Sequence, residues 1–195
     1  MTKRIFILNG HPGATSLSRA LALSYAEGAA QAGHEVRIAH LPDLSFDSDF
    51  GEGGYQTLKP LEPSLDGVLR DIEWSEHVVL ATPMWWGGLP AKLKGLFDRA
   101  LLPGRAFDTR SRRFGLPRPM FAGRTARVLL TSDTQSWLLR LVYHNAILTQ
   151  LRCQIFGFVG IKPTRVSQFA EASHPSRSTI SRWQDQVRKL GLKAA

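Results

Sequence analysis

Apolar positions along the chain follow two alternating patterns, short continuous runs and helical periods. Arg4–Asn9 is apolar at its four central positions, as in a strand buried on both faces of a sheet. From position 17 to position 29, apolar residues recur at every fourth position, which predicts an amphipathic helix that Gly33 ends. Residues 35–41 form the next predicted strand, and this strand–helix–strand unit is typical of a parallel sheet.

The same alternation continues to the end of the chain. Further strands are predicted at residues 77–82, 126–131 and 164–169, and further helices at 64–73, 90–101, 136–156 and around 180–190. Residues 42–63, rich in Gly, Pro, Asp and Ser, predict a long loop, and residues 105–123 an irregular basic stretch. The order of elements predicts an α/β fold, a single doubly wound domain spanning residues 1–195.

Three loops of such a domain are candidate ligand sites, because ligands bind beyond the carboxyl ends of parallel strands where the winding reverses. They are residues 10–18, 83–90 and 131–136. The first loop carries the hydroxyls of Thr15, Ser16 and Ser18 at the start of a helix, where free amides and the positive dipole end favour a phosphate. Simple capping of the helix by Thr15 or Ser16 explains the same residues, and His11 is ambiguous.

The second loop combines Met84, Trp85 and Trp86 with two glycines directly after a predicted core strand. Glycines allow close backbone approach, and indole and thioether groups offer a flat, polarisable surface. The loop therefore suits a planar heterocycle. The alternative is that the tryptophans are core or dimer-contact residues, but their position at the carboxyl end of a strand favours a ligand site.

Three blocks of residues also carry a family resemblance. They run from Gly10 through His11 to Ser18, from Trp74 through Pro83 to Trp86, and from Gly88 to Arg99. Together they resemble the flavodoxin-like NAD(P)H:quinone reductases, which include the modulator-of-drug-activity-B type enzymes and the ancillary proteins of potassium efflux systems. The resemblance covers nearly the whole chain. It implies a flavodoxin-like, five-stranded parallel sheet in the order 2-1-3-4-5, a tightly bound FMN or FAD, and NADPH or NADH as cosubstrate.

The resemblance also assigns residues to the cofactor. Phosphate contacts fall on His11, Ser16, Leu17 and Ser18, ring contacts on Pro83, Met84, Trp85, Trp86 and Gly87, and third-loop contacts on Thr131, Ser132 and Asp133. Relatives often carry glycine where this chain has Asp133. A carboxylate there disfavours a reduced, anionic flavin, so we expect Asp133 to turn away or to pair with an arginine.

The function implied by the resemblance is two-electron reduction of small quinone-type acceptors, with hydride passing from NAD(P)H to flavin and then to the acceptor. Tyr143 and His144 are candidate proton donors for the reduced acceptor, or else two residues on a helix surface. The alternative functions are a regulatory flavoprotein that binds a membrane transporter with low turnover of its own, and a one-electron carrier. The family also implies a homodimer, and no metal is expected.

The net charge of +9 is concentrated in part between residues 105 and 127, where seven arginines oppose one aspartate. Arginine forks suit phosphate, so the segment is interpreted as binding the phosphates of NADPH, as docking to an acidic protein or membrane surface, or as a solvated loop. Nucleic acid is not expected, because no reader motif is present. Phe107, Phe114 and Phe121 are expected to pack the segment down or to line a subunit contact.

The composition adds three limits. Hydrophobic residues make up 43% of the chain, as in an ordinary globular protein, and no apolar run is long enough to cross a bilayer. A single cysteine, Cys153, excludes an internal disulfide and favours a cytoplasmic location. Its apolar neighbours predict a buried thiol.

Overall fold

Five parallel strands form the central sheet of the structure, a computed structural model that describes residues 2–51 and 58–194. They are β1 (Arg4–Asn9), β2 (Glu35–His40), β3 (His77–Pro83), β6 (Thr125–Thr131) and β7 (Thr164–Phe169), and β4 (Phe107–Arg113) pairs with β5 (Leu116–Pro119) in a separate hairpin. The sheet order is β2-β1-β3-β6-β7. Numbered among themselves, these strands lie in the order 2-1-3-4-5, which confirms the predicted flavodoxin-like α/β sheet.

Helices cover both faces of this sheet. They are α1 (Leu17–Gln31), α2 (Pro63–Trp74), α3 (Ala91–Ala100), α4 (Ser136–Leu141), α5 (Ala146–Thr149) and α6 (Arg177–Lys193). Because side chains alternate along a strand, Ile5 and Ile7 of β1 pack beneath α1 and α6, whereas Phe6 and Leu8 pack beneath α2 and α3. A strand with both faces buried must be apolar throughout, which is why β1 was recognisable as a continuous run.

The α1–α6 contact is close enough that backbone touches backbone. A Cβ added to Gly28 would lie 2.1 Å from the carbonyl oxygen of Arg188, and one added to Gly191 would lie 2.2 Å from that of Tyr25. Only glycine fits at these two positions. This contact holds α6, and with it the C-terminal part of the chain, against the sheet.

The long predicted helix at residues 136–156 is wrong. Helix α4 ends at Leu141, and His144 and Asn145 both adopt left-handed backbone angles, φ 49° and 53°, which a right-handed helix cannot contain. The chain then resumes as α5 and a π-helical segment, Gln150–Phe156. Leu141, the last residue of α4, is exposed.

Two further expectations for the second half of the chain are wrong. Part of the stretch expected to be irregular, residues 105–123, forms the β4–β5 hairpin. Cys153 is exposed rather than buried, although Leu151 and Phe156 on the same π-helical segment are buried. Wider π-helical turns alter which residues share a face, so apolar neighbours in sequence do not enclose the thiol.

The loop that follows β2 is anchored to α3 in its described parts. Arg99 of α3 is 1% exposed and donates to the carboxylate of Glu62 at 2.6 Å and to the carbonyl oxygens of Pro60 and Asp47 at 2.9 and 3.3 Å. These bonds fix both ends of the loop beside the helix that follows the second candidate loop. In the described residues, no helix has the length and apolar character needed to cross a membrane.

Candidate functional site

The carboxyl ends of β1, β3 and β6 open into one cavity of about 210 Å³. Its lining contains residues from all three candidate loops: His11, Thr15, Ser16, Leu17, Ser18, Pro83, Met84, Trp85, Thr131, Ser132 and Asp133, together with Ala172 and Ser173. Of the residues expected to contact a cofactor, only Trp86 and Gly87 are outside this lining. The cavity lies where an open parallel sheet places its ligand.

The first loop brings the start of α1 to this cavity. The Oγ of Ser16 accepts from the amide of Arg19 at 3.1 Å, so Ser16 caps the helix. Helix geometry leaves the amides of Leu17 and Ser18 without intrahelical acceptors, at the end where the dipole is positive. Capping and anion binding are therefore compatible here, because the cap uses the amide of the third helical residue and leaves the first two amides for a ligand.

His11 is held in this loop by its own neighbours. The amide of Gly13 donates to Nδ1 of His11 at 2.9 Å, and the amide of His11 donates to Oδ1 of Asn9 at 3.3 Å. The His11 ring meets Trp85 edge to face, with ring centroids 5.5 Å apart. Asn9 is fully buried beneath the loop. His11 thus joins the first loop to the second and fixes the position of the Trp85 ring.

The second loop is a two-residue turn. The amide of Trp85 donates to the carbonyl of Gly88 at 3.0 Å, and that of Gly88 donates back at 2.9 Å. Trp86 and Gly87 both have positive φ, 50° and 72°, as a type I′ turn requires. The turn points the Trp86 side chain into solvent, where it is fully exposed, and leaves Trp85 on the cavity wall.

Among the described residues, the third loop carries the one carboxylate on the cavity lining. Asp133 turns to Ser173, whose amide and hydroxyl both donate to it, the amide at 2.7 Å. These bonds lower the pKa of Asp133, so the group stays ionised. We expected Asp133 to turn away or to pair with an arginine; it lies on the cavity lining instead, and its partner is a serine. Both carboxylate oxygens are hydrogen-bonded to Ser173, but the group keeps its negative charge.

A fourth loop, after β7, also reaches the cavity and was missed by sequence reasoning. Its Ala172 amide donates to the carbonyl of Ser132 at 3.2 Å, and Ser173 holds Asp133. The sheet order was a sufficient signal, because the carboxyl end of β7 must lie beside that of β6. The loop itself has no ligand-binding pattern in its sequence.

Tyr143 and His144 do not line the cavity. Both are exposed, in the break between α4 and α5, with His144 in a left-handed conformation. In the described chain, neither residue therefore forms part of the wall of the candidate site.

A larger cavity, of about 660 Å³, lies between α3 and the π-helical segment. Phe97, Leu101 and Phe158 contribute to its largely apolar wall, and it shares no lining residue with the smaller cavity. Size alone does not identify the site, because a cavity of about 670 Å³ also lies along α6. Position favours the smallest of these three, because only there do several strand ends and a helix N-terminus converge.

A family model described as a flavodoxin-like fold matches residues 3–190 of the chain. The chain belongs to this family. Membership agrees with the observed sheet order and with the position of the smaller cavity, which is the place where flavodoxin-like folds bind their ligand.

Three relatives illustrate the similarity. A Ruegeria pomeroyi protein named FMN-dependent NADH:quinone oxidoreductase is 32% identical over 154 residues, 70% of this chain and 72% of that protein. The structure of NAD(P)H:quinone oxidoreductase from Methanothermobacter marburgensis has a TM-score of 0.80 at 22% identity, covering 99% of this chain and 97% of that one. An FMN-dependent NADH-azoreductase from Bacillus anthracis, solved in complex with FMN, reaches 0.72 at 15% identity, covering 97% and 98%.

The family model and the Ruegeria pomeroyi relative confirm the resemblance to the flavodoxin-like quinone reductases that the sequence blocks carry. The enzyme class expected from the sequence is confirmed with it, and the protein is an oxidoreductase. The two structural likenesses are below 25% identity and support the fold alone.

Proposed function

We propose that this flavodoxin-like protein is an FMN-dependent NAD(P)H oxidoreductase that reduces quinone-type acceptors by two electrons. The observation that carries the proposal is the convergence of a helix N-terminus, several hydroxyls and an indole ring on one cavity at the strand ends. The name of the Ruegeria pomeroyi relative supports the same cofactor and acceptor class. That name favours FMN over FAD as the cofactor. We leave both NADH and NADPH as possible reductants.

The residues of the cavity fit the phosphate end of FMN. The amides of Leu17 and Ser18 and the hydroxyls of Thr15 and Ser16 supply donors at the positive end of α1. The Asp133 carboxylate is the unfavourable charge among the described lining residues, and its oxygens are hydrogen-bonded to Ser173 at the third and fourth loops, not at the start of α1. A dianionic phosphate therefore meets a donor set of suitable charge.

The second loop fits the flavin ring. The cavity of about 210 Å³ is smaller than the roughly 300 Å³ at which ligand pockets usually begin, so the ring would lie at its mouth. Trp85 stands on that wall and Trp86 projects beside it, while Pro83 and Met84 add apolar surface. When bound, the flavin supplies the hydride chemistry that no side chain of the protein offers.

The protein's own part in the reaction is to position the two substrates. Thr131 and Ser132 are buried, and Thr131 fixes the third loop through its hydrogen bond with Ser18, 3.3 Å between hydroxyl oxygens.

Tyr143 and His144 remain proposed proton donors to the reduced acceptor. Because both are exposed outside the cavity lining, they would act at its mouth or across a subunit contact.

We also propose that the protein forms a homodimer in which α4 takes part. Trp137, Leu141, Val142 and Tyr143 place four exposed apolar or aromatic side chains together directly after the third loop. Contiguous exposed apolar surface marks interaction sites. A second copy covering this surface would stand beside the candidate site. Light scattering of the wild type and of Leu141→Asp measures the oligomeric state, and we expect the variant to be monomeric. A monomeric wild type would contradict the proposed dimer.

The phosphate site is tested by two matched substitutions at helix caps. Ser16→Asp keeps a residue that caps well but adds a negative charge where the phosphate is proposed, and Ser176→Asp makes the same change at the cap of α6, where the serine also accepts from the third amide. We expect the dissociation constant for FMN to rise at least about tenfold in Ser16→Asp. Ser176→Asp should match the wild type, and equal FMN binding in all three proteins would remove α1 from the site.

The reaction is tested by anaerobic titration of the FMN-loaded protein. We expect one equivalent of NADH or NADPH to bleach its visible absorbance, and one equivalent of a simple quinone to restore it. Retention of FMN without bleaching by either nicotinamide would contradict the enzymatic proposal and favour a binding role instead.

A further inference from the structure

Six of the seven arginines between residues 105 and 127 fall into two groups. The first group holds the fold: Arg105 pairs with Asp66 at 2.7 Å and with Glu73 at 2.8 Å, and Arg124 donates to the carbonyl oxygen of Ile72 at 2.9 Å, at the end of α2. Arg127 is buried and donates to Ser167. These residues are committed to contacts at the base of the segment.

The second group points outward from the β4–β5 hairpin. The side chains of Arg110 and Arg118 are 90% and 63% exposed, and Arg112 is exposed as well. The only carboxylate of this hairpin, Asp108, is buried and contacts Arg110 at 3.1 Å and Arg118 at 3.5 Å. The nearby Arg110 lowers the pKa of Asp108. Three guanidinium groups against one carboxylate leave this part of the surface positive.

An aromatic residue forms the apex of the same hairpin. Arg113 pairs with Leu116, so Phe114 and Gly115 are the two residues of the turn, with φ 53° and 81°. Such turns favour Asn-Gly, and a bulky residue at positive φ is unfavourable. The Phe114 side chain is nevertheless 92% exposed, with Leu116 and Met120 also exposed on the strand and just beyond it. The exposed Phe114 ring and the exposed arginines therefore share one end of the hairpin.

We propose that the β4–β5 hairpin docks the protein on the surface of an anionic phospholipid bilayer. Arg110, Arg112 and Arg118 contact headgroup phosphates, and Phe114 enters the interfacial region. Basic residues beside anionic lipid each add to binding, and aromatic side chains favour the headgroup level. The net charge of +9 attracts the whole molecule to the same surface.

The shape of the hairpin favours lipid over nucleic acid. Single strands bind in grooves where several aromatic residues stack on successive bases. The hairpin is instead a protruding tip with one aromatic residue at its apex and the aliphatic side chain of Leu116 beside it. An aliphatic side chain can insert into lipid, but it cannot stack on a nucleic-acid base.

Two variants separate the charge from the aromatic residue. In the first, Arg110, Arg112 and Arg118 are all changed to Gln, which keeps a donor near Asp108. In the second, Phe114→Asn removes the ring but supplies the residue that the turn favours, so the hairpin should persist. The matched controls are Arg152, Arg177 and Arg182 all changed to Gln, which removes the same charge from other exposed positions, and Leu23→Gln, which removes another exposed apolar side chain.

Co-sedimentation with vesicles measures the binding. One set of vesicles is phosphatidylcholine alone, and the other also contains about 30 mol% phosphatidylglycerol, which gives the vesicle a negative surface potential. We expect the wild type to bind only the anionic vesicles and to be released by salt. The arginine variant should bind roughly 100-fold more weakly, at about fivefold for each arginine, and Phe114→Asn about tenfold more weakly. Both controls should remain within about twofold of the wild type.

Three results would overturn the proposal. The first is that the wild type does not bind anionic vesicles. The second is that the control arginine variant loses as much vesicle binding as the hairpin variant, which would indicate attraction by net charge alone. The third is that a single-stranded oligonucleotide binds through Phe114 more tightly than the vesicles do. None of these measurements depends on flavin or on turnover, so they are independent of the proposed function.

Discussion

Trp86 and Phe114 occupy the same position in two different turns. Each is the first residue of a two-residue connection, at φ 50° and 53°, and each is followed by a glycine at positive φ, Gly87 or Gly115. The sequence shows an aromatic residue before a glycine in both places. It does not show the turn type, because that depends on the hydrogen bonds that close the turn, which the flanking residues make only in the folded chain.

Trp86→Asn separates the cost of this turn from the use of the indole. Asparagine suits the left-handed position, so the free energy of unfolding of the flavin-free protein should rise by about 0.5–1 kcal/mol. Loss of the ring at the mouth of the cavity should weaken FMN binding by roughly threefold to tenfold. Urea unfolding and quenching of flavin fluorescence measure the two effects. Unchanged FMN affinity would exclude Trp86 from the flavin site, and Phe114→Asn, the same change at the same position of the β4–β5 turn, is the control.

His77 makes the stability of the protein depend on pH. It is buried between the hydroxyls of Tyr25, at 3.1 Å, and Thr125, at 2.7 Å. Burial first, and then the charges of Lys3 and Arg127, lower the pKa of His77 to about 3. In the unfolded chain the imidazole takes up a proton near pH 6.5, whereas the native state resists protonation down to about pH 3.

The free energy of unfolding should therefore fall as the pH falls from about 6.5, by up to about 1.4 kcal/mol for each pH unit. Urea unfolding between about pH 6.5 and pH 4.5 measures this slope above the range in which most carboxylates titrate. His77→Gln should be less stable near neutral pH, because packing and hydrogen bonds are disturbed, but its slope in this window should be shallower. A variant slope as steep as that of the wild type would assign the pH dependence to other groups.

At the scale of elements, the five strands of the main sheet were predictable, whereas the course of the chain at residues 136–156 and the β4–β5 hairpin were not. β1 and β3 are buried on both faces, so the sequence marks them with unbroken apolar runs. The expected helix at 136–156 is interrupted because the chain turns left-handed at His144 and Asn145, and nothing in the apolar spacing announces such a turn. The β4–β5 hairpin was missed for a similar reason, since its strands carry arginine where an alternating apolar pattern would mark them.

The α1–α6 contact gives a prediction with an internal control. In Gly28→Ala the new methyl group would overlap the carbonyl of Arg188, so the helices must separate and the free energy of unfolding should fall by roughly 1–3 kcal/mol. Gly67 lies within α2, where no described heavy atom is within 4 Å of an added Cβ. Gly67→Ala should therefore raise the free energy of unfolding by about 0.5–1 kcal/mol through helix propensity alone. Chemical denaturation measures both, and a stabilising effect of Gly28→Ala would show that the helices can move apart freely.

At the scale of the whole molecule, the sheet order determines where the candidate site lies. Parallel strands in the order β2-β1-β3-β6-β7 bring the loops after β1, β3 and β6 together, although they are separated by more than 40 residues in sequence. Sequence reasoning located these loops because strand order and strand ends follow from the alternation of elements. It did not supply the partner of Asp133, because Ser173 comes from the loop after β7, and a contact between two irregular loops leaves no pattern in either.

The proposed FMN site should be visible in the stability of the entire fold. A ligand that binds only the native state at about 100 times its dissociation constant raises the free energy of unfolding by about 2.7 kcal/mol. For a chain of this length that is a rise in Tm of roughly 5–11 °C. Riboflavin carries the same ring without the phosphate, so at equal concentration it should give a much smaller shift if the first turn of α1 holds the phosphate. Thermal unfolding of the flavin-free protein with each compound measures the difference. Equal shifts would mean that the ring alone is bound, and the amides of Leu17 and Ser18 would then have no part in the site.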